Sequence, residues 1–427
     1  MTTDPAGPAA PPAVDPPLAG VRILDLTHML AGPYATMLLA DLGAEIIKVE
    51  PPGGEFIRGA GPTFGDGEEA FGGYFHSVNR NKRSLPLNLR DPEGRRIFLE
   101  FVDSADAVIE NFRVGIMESL ALDWEVLHAR NPRLVYGCIR GFGDPRTGMS
   151  PYVNWPAYDV VAQAMGGFMH VNGFPEREPV KSGIGIGDLF PAALLDIGVL
   201  SAILQARATG QGRLVDVGMY DAMISLAERN AYQHSITGEV PGRIGNSHPL
   251  FAPFGLFEAK DGWVTIAAPS NREWTVFASL IGHPELIDDP RSSQPTARHE
   301  NIEFVNDVIQ EWTRTRTKAE IVNELGGRVP VGPVQTARDI AADPHVAIRQ
   351  MLVEVEQPGT GHVVSIAGTP IRFSPASSVG IRRAPLLGED TVSLLAEIGI
   401  DQQAVQGLVA SGIVATTADA TSAATHA

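Results

Sequence analysis

The stretch "VRILDLTHMLAGPYATMLLADLGAEIIKVEPP", Val21–Pro52, changes its periodicity twice. Val21–Leu26 is a short apolar run, the pattern of a buried strand. Pro33–Leu42 carries apolar residues at helical spacing and is closed by Gly43. Glu45–Glu50 is strand-like again and stops at Pro51-Pro52. Strand, helix, strand makes a βαβ unit, which implies a parallel sheet. The same alternation continues through "RSLPLNL" (Arg83–Leu89), the helical "DPEGRRIFLEFVDSA" (Asp91–Ala105) and the short run "DAVIEN" (Asp106–Asn111). Helices follow near Gly115–Leu120 and Asp123–Arg130, then the strand "RLVYGCIRGFG" (Arg133–Gly143). The sequence therefore predicts an α/β fold with a doubly wound, Rossmann-like large domain over residues 18–241.

Beyond it the texture changes. "GNSHPLFAPFGLFEAKDGWVTIAAPS" (Gly245–Ser270) reads as short strands joined by turns, with Asp261-Gly262 a hairpin signal. Helical patterns follow at Asn271–Ile281 and Asn301–Arg314, so residues 242–332 are expected to form a smaller α+β domain. Residues 333–414 read as a linker and a C-terminal segment that returns to the large domain, with a last helix at Thr391–Ile398. Residues 1–17 hold six prolines and no basic-then-apolar leader pattern, so a flexible tail is expected, as it is for the small, polar residues 415–427.

Composition narrows the function classes. With 44% hydrophobic and 19% charged residues the chain suits a soluble globular protein. A net charge of −17 argues against a nucleic-acid partner. The single cysteine, Cys138, excludes an internal disulfide and cysteine-rich metal sites, and a reducing, cytoplasmic setting is expected. The apolar run Leu189–Ala206 is interrupted by Pro191, Asp196 and Gly198, so it reads as a buried helix, with no membrane span expected.

Familiar chemistries are missing. Eleven scattered histidines form no H-E-x-x-H pattern, so no metal site is expected. There is no G-x-S-x-G elbow, and "THMLAGPYA" after the first strand is not a dinucleotide fingerprint, which argues against a dehydrogenase. Two features remain. One is the basic run "VNRNKRSLPLNLRDPEG", with Arg80, Lys82, Arg83 and Arg90, readable as a solvated charge run or as a phosphate site. The other is "VKSGIGIGDLFPAALLDIGVLSAIL", Val180–Leu204, where Asp188 stands between a glycine run and a long apolar helix. On local pattern alone Asp188 reads as an N-cap, with Pro191 in the first turn.

Five ordered segments resemble the class III CoA-transferases, the family of formyl-CoA, carnitine and bile-acid CoA-transferases and of the related α-methylacyl-CoA racemases. They are "ILDLTHMLAGPYATMLLADLGAEIIKVEPPGGE", "NRNKRSLPLNLRDPEGR", "ADAVIENFRVG", "AYDVVAQAMGGFM" and "SGIGIGDLFPAALLDIGVLSAIL". The resemblance implies that Asp188 is a nucleophile that takes CoA from an acyl-CoA through mixed anhydrides and an aspartyl-CoA thioester. It implies that His28, Leu30, Ala31, Leu87, Asn88, Leu89, Arg90, Asn111, Phe112, Arg113 and Tyr158 hold the CoA thioester, a substrate, with no tightly bound cofactor. It also implies an interlocked, ring-shaped homodimer acting on acyl-CoA and carboxylic acids. The acceptor acid is left open among short dicarboxylates, hydroxy acids and larger acids; a dicarboxylate is the expectation, with Arg113, close to the acyl site, as the partner for its second carboxylate. An aspartate starts near a pKa of about 3.9, and a rise of about 2 units leaves most of it ionised at neutral pH, as a nucleophile requires. The glycines at 183, 185 and 187 are expected to let the thioester approach, and backbone N–H groups near Asp188 to hold an oxyanion. Two alternatives stand beside this reading. A racemase needs two acid–base groups, and Tyr158 replaces the histidine that racemases carry. An acyl-CoA-binding protein without turnover is the other, against which Asp188 and its glycines count.

Overall fold

The computed structural model describes residues 14–63, 72–357, 361–374 and 379–417. Most of both expected tails, residues 1–13 and 418–427, lies outside the described residues. The chain divides into two compact units. The first comprises Met1–Gly167, Gly183–Glu228 and Ala347–Ala427; the second comprises Phe168–Ser182 and Arg229–Val346. The expected small-domain span, 242–332, lies inside the second unit, whose bounds are wider.

In the first unit, β1 (Arg22–Asp25), β2 (Glu45–Glu50), β3 (Arg83–Pro86), β4 (Ala107–Glu110), β5 (Val135–Arg140) and β6 (Leu214–Gly218) form one sheet in the order β3-β2-β1-β4-β5-β6. Every neighbouring pair is parallel. Burial along β2, β4 and β5 is continuous, not alternating, because both faces of the sheet are covered. Phe98, Phe101, Leu127, Leu394 and Val405 close one face over Leu24, Ile47, Val108 and Cys138. The helices Ala31–Asp41 and Ile186–Thr209 pack together on the other. At Gly137 a methyl group would fall 2.9 Å from Val199, so the glycine lets the long helix lie directly on β5. That helix is long and apolar enough to cross a membrane by length and composition alone. One face of it packs on β5 and β6, and the other leaves Ile197 and Leu204 exposed, so the helix is only partly buried.

The second unit holds an antiparallel sheet of β7 (Phe254–Ala259), β8 (Gly262–Ala267) and β9 (Val331–Pro333). Ala259 pairs with Gly262, whose φ of 144° makes the turn at Asp261-Gly262 possible. Helices at Asn271–Leu280 and Ile302–Arg314 bring Trp274, Phe277 and Ile309 onto its core. Back in the first unit, β10 (Leu352–Gln357) and β11 (His362–Ala367) make an antiparallel hairpin, and the last helices are Thr391–Glu397 and Gln402–Ala410.

The basic run proves to be neither a solvated face nor a phosphate cradle at two of its four positions. Arg80 and Lys82 are buried and paired, Arg80 Nη2 with Asp41 at 2.5 Å and Lys82 Nζ with Asp25 at 2.9 Å. Arg83 is half-buried against Glu45 and Glu397. Only Arg90 is exposed. Burial alone would push the Asp25 carboxyl up, but the ammonium groups of Lys82 and Lys48 and the Thr27 hydroxyl hold it at about 2. A carboxyl lowered in the folded state adds stability above its unfolded pKa of about 3.9, and that contribution is lost as pH falls toward 2. Removing one partner of a buried pair strands the other charge. Asp25→Ala is therefore expected to lower the unfolding free energy by about 3–5 kcal/mol at neutral pH in denaturant titrations. A loss below about 1 kcal/mol, the range of surface pairs, would show that this pair does not hold the fold.

Candidate active site

Strand order reverses between β1 and β4, and in open parallel sheets the crevice beyond such a reversal is where ligands bind. The loops leaving β1, β4 and β5 line a cavity of about 610 Å³ there, together with Tyr74, Tyr158, Asp159, Asp188 and Met219.

The β1 loop is fixed from three sides. From below, the Thr27 N–H and hydroxyl donate to Asp25 Oδ1 at 2.8 and 2.5 Å, and Lys48 Nζ donates to the Thr27 carbonyl at 2.8 Å. Lys48 is also paired with buried Glu55 at 2.7 Å, and Glu55 accepts the Met29 N–H at 2.9 Å. Met29 sits at φ 69°, a left-handed conformation that these bonds must hold in place. From the side, Asn111 accepts the His28 N–H at 2.8 Å and donates to the His28 carbonyl at 2.7 Å. This reciprocal amide ties the β1 loop to the β4 loop across the strand reversal. Burial, with the Lys48 charge, keeps the His28 imidazole below its usual pKa, and its ring meets the Phe112 ring edge-on at 5.2 Å.

The β4 loop turns over buried Glu110, which accepts from Phe112 N–H and Arg140 Nη2, each at 2.6 Å. Arg140 also pairs with Asp144, so its charge is spent under the cavity floor. Arg113 lies exposed in the cavity lining and has no ion-pair partner among the described residues.

The first turn of helix Ile186–Thr209 corrects the local reading of Asp188. Gly185 is the N-cap, without a side-chain cap, and Asp188 stands inside the first turn, half-buried in the cavity wall. The cap is supplied instead by Asp159, which accepts the Gly187 N–H at 2.8 Å and the Gln163 amide at 2.7 Å. The glycines are explained by this neighbour. A methyl at Gly187 would fall 2.7 Å from the Asp159 carbonyl oxygen, and one at Gly185 would fall 2.9 Å from Leu30. Gly183 has open space around it. The backbone donors of the turn are also committed: Ile186 to Ile184, Gly187 to Asp159, and Asp188 and Leu189 both to Gly185. The expected backbone oxyanion donors are thus occupied. Tyr74 offers a side-chain donor instead. Burial first, then the charges of Asp188, Glu55 and Asp159, raise its phenol above the usual value and keep it protonated.

Of the residues singled out in the sequence, His28, Leu30, Ala31, Asn111, Phe112, Arg113, Tyr158 and Asp188 line this one cavity. Leu87, Asn88, Leu89 and Arg90 are not part of its lining. Leu87 is buried and bridges to Val414, the Asn88 N–H donates to the Ile413 carbonyl, and Arg90 lies on the surface. Tyr74, Asp159 and Arg140 were not singled out. Asp159 had a visible signal, an acid opening the helical run after Tyr158; Tyr74 and Arg140 had none.

Asn111→Ala should untie the two loops at a cost of about 1–3 kcal/mol, the penalty for stripping partners from buried polar groups. Amide hydrogen exchange should accelerate at Thr27–Ala31 and stay unchanged in β5. Unaltered exchange in the β1 loop would show that the clamp is dispensable.

Residues 18–391 match the profile of CoA-transferase family III. A succinyl-CoA:mesaconate CoA-transferase of Haloarcula marismortui is 48% identical over 386 residues, covering 90% of this chain and 97% of the relative. A succinate–glutarate CoA-transferase of Agrobacterium fabrum is 33% identical, covering 90% and 96%. Among solved structures, a CAIB/BAIF family protein from Brucella suis superimposes with a TM-score of 0.79 at 35% identity, covering 90% of this chain and all of that one. With the crevice, its acid and its loops in place, the chain belongs to CoA-transferase family III and is an enzyme that transfers CoA between an acyl-CoA and a carboxylic acid.

Proposed function

We propose that Asp188 is the nucleophile and that the substrates are short dicarboxylic acids, with succinyl-CoA or a similar acyl-CoA as donor. The observation that carries this reading is the placement of Asp188, half-buried in the first turn of its helix, in one cavity with Tyr74, His28 and Arg113. The Asp188 carboxylate attacks the thioester carbonyl, forming an aspartyl–acyl anhydride and releasing CoA thiolate. The thiolate attacks the aspartyl carbonyl, giving an aspartyl-CoA thioester and the free donor acid. The acceptor carboxylate then repeats the two steps in reverse and leaves with CoA. Every nucleophile and leaving group in this sequence is an anion, so no net proton transfer is required. What the site must supply is donors to the transient oxyanions, and the protonated Tyr74 hydroxyl fits that role.

A dicarboxylate is favoured by the charge arrangement. Of the two guanidinium groups in the lining, Arg140 is held by Glu110 and Asp144, whereas Arg113 is exposed and available for a distal carboxylate. The relatives that act on mesaconate, succinate and glutarate support the same class. In this reading His28, Leu30, Ala31, Asn111, Phe112 and Tyr158 hold the CoA thioester, and Leu87–Arg90 adds a contact outside the cavity. The protein works in the cytoplasm, without a tightly bound cofactor or a membrane, as an interlocked homodimer. Ile197 and Leu204, 64% and 71% exposed on the helix that carries Asp188, support a face covered by another chain.

Asp188→Asn should lower kcat by about 10³-fold or more, as loss of a covalent nucleophile does, while acyl-CoA still binds. Near-normal turnover would remove the nucleophile assignment. Arg113→Ala should weaken use of dicarboxylates about 10–100-fold, the equivalent of a lost charged hydrogen bond, and leave monocarboxylates little changed. Equal losses for both would remove the dicarboxylate assignment.

A further inference from the structure

An activated aspartate carries a hazard of its own. While Asp188 is joined to an acyl group or to CoA, its side-chain carbonyl is open to attack by the backbone nitrogen that follows it, that of Leu189. Attack by this nitrogen on Asp188 Cγ would form a C–N bond, close a five-membered succinimide and expel CoA thiolate, the amide proton passing to solvent. A free aspartate resists this because hydroxide leaves poorly. A thiol of pKa about 8.5, against about 15.7 for water, leaves far more readily. The ring cannot close while the first turn stays helical. Closure needs the Asp188 backbone to leave the helical ψ of about −42°, and the Leu189 N–H donates to the Gly185 carbonyl at 2.9 Å.

That bond opens the i→i−4 ladder of helix Ile186–Thr209, at the end where helices fray. The turn has little of its own to resist fraying. Gly185 and Gly187 lower its helical preference, Gly185 caps without a side chain, and Pro191 brings no N–H to the Gly187 carbonyl. Support comes from a different helix, Asp159–Met165. Asp159 Oδ1 accepts the Gly187 N–H at 2.8 Å and also the side-chain amide of Gln163, a fully buried residue, at 2.7 Å. The Asp159 carbonyl oxygen fills the space beside the glycine, 2.7 Å from where a Gly187 methyl would stand. We infer that Asp159, held by Gln163, is a positioning residue that guards the enzyme against its own intermediate. By capping the nucleophile's turn it keeps the Leu189 N–H on Gly185, so CoA on Asp188 passes to the acceptor acid and is not displaced by the backbone. The inference rests on Asp188 as the nucleophile.

The test compares the wild type with Asp159→Ala, Gln163→Leu and Asp159→Asn, each incubated with and without succinyl-CoA. Turnover would be followed over time, and the peptide that contains Asp188 and Leu189 weighed after acid quenching. Loss of one cap opens a first turn about 2–30-fold more often. Asp159→Ala should therefore inactivate in about that many fewer turnovers, and its peptide should accumulate a form lighter by one water, only when succinyl-CoA is present. Gln163→Leu should do the same more mildly, and it carries the comparison if Asp159→Ala does not fold. Asp159→Asn keeps an oxygen for the Gly187 N–H and should last as long as the wild type. A purely structural defect would lower activity from the first turnover and leave the peptide mass unchanged. In parallel, hydroxylamine should trap Asp188 of the wild type as a hydroxamate. Trapping in the wild type, with steady turnover and no dehydrated peptide in the Asp159→Ala and Gln163→Leu enzymes, would overturn the guard alone. A wild-type enzyme that turns over without trapping would remove the nucleophile assignment, and the guard with it.

Discussion

The Asp25 carboxylate, sealed at the end of β1, is the constraint on which the candidate active site depends. It receives the Thr27 backbone and side chain, the Thr36 hydroxyl and the Lys82 ammonium within a volume that water does not reach. Those bonds turn the chain out of the sheet with Met29 in a left-handed conformation, which places His28, Leu30 and Ala31 on the cavity wall. A loop held only by surface contacts would sample many geometries. One anchored to a buried charge pair keeps one, because leaving that geometry exposes or strands a charge.

The second constraint is topological. Strands β1 and β4 are neighbours in the sheet where the strand order reverses, and the Asn111 amide, with the edge-on contact of His28 and Phe112, joins their following loops across the gap. Helix Ile186–Thr209 brings Asp188 to the same gap with its N-terminal turn already saturated by Asp159 and by its own carbonyls. Tyr74 adds a side-chain hydroxyl to the cavity lining, kept protonated by burial and by the charges of Asp188, Glu55 and Asp159. Anion-to-anion acyl exchange suits such a site. It demands charge stabilisation and exclusion of water but no proton relay.

Much of this architecture was legible in the sequence. Short apolar-rich runs, as in β2 and β5, prove buried along nearly their whole length, the mark of strands covered on both faces, and Asp261-Gly262 reports its hairpin through the φ it requires. The ordered motifs carried the family, and eight of the residues chosen from them meet in one cavity. The charged run after Val78 was not legible, because Arg80 and Lys82 look alike whether solvated or buried. Their partners, Asp41 and Asp25, lie 39 and 57 residues earlier in the chain. The cap at Asp188 misled for the same reason: the true cap, Asp159, lies 28 residues before the N–H it receives. The glycine run looked like room for a ligand, but at Gly187 the space is taken by the chain itself. Local pattern reports local structure well, and it cannot report which distant side chain arrives first.

The central claim is that Asp188 carries CoA covalently, and mass spectrometry addresses it directly. The enzyme would be mixed with succinyl-CoA, quenched in hydroxylamine and digested. The account predicts a hydroxamate on the peptide that contains Asp188, and none in Asp188→Ala. An enzyme that turns over succinyl-CoA while that peptide stays unmodified would contradict it.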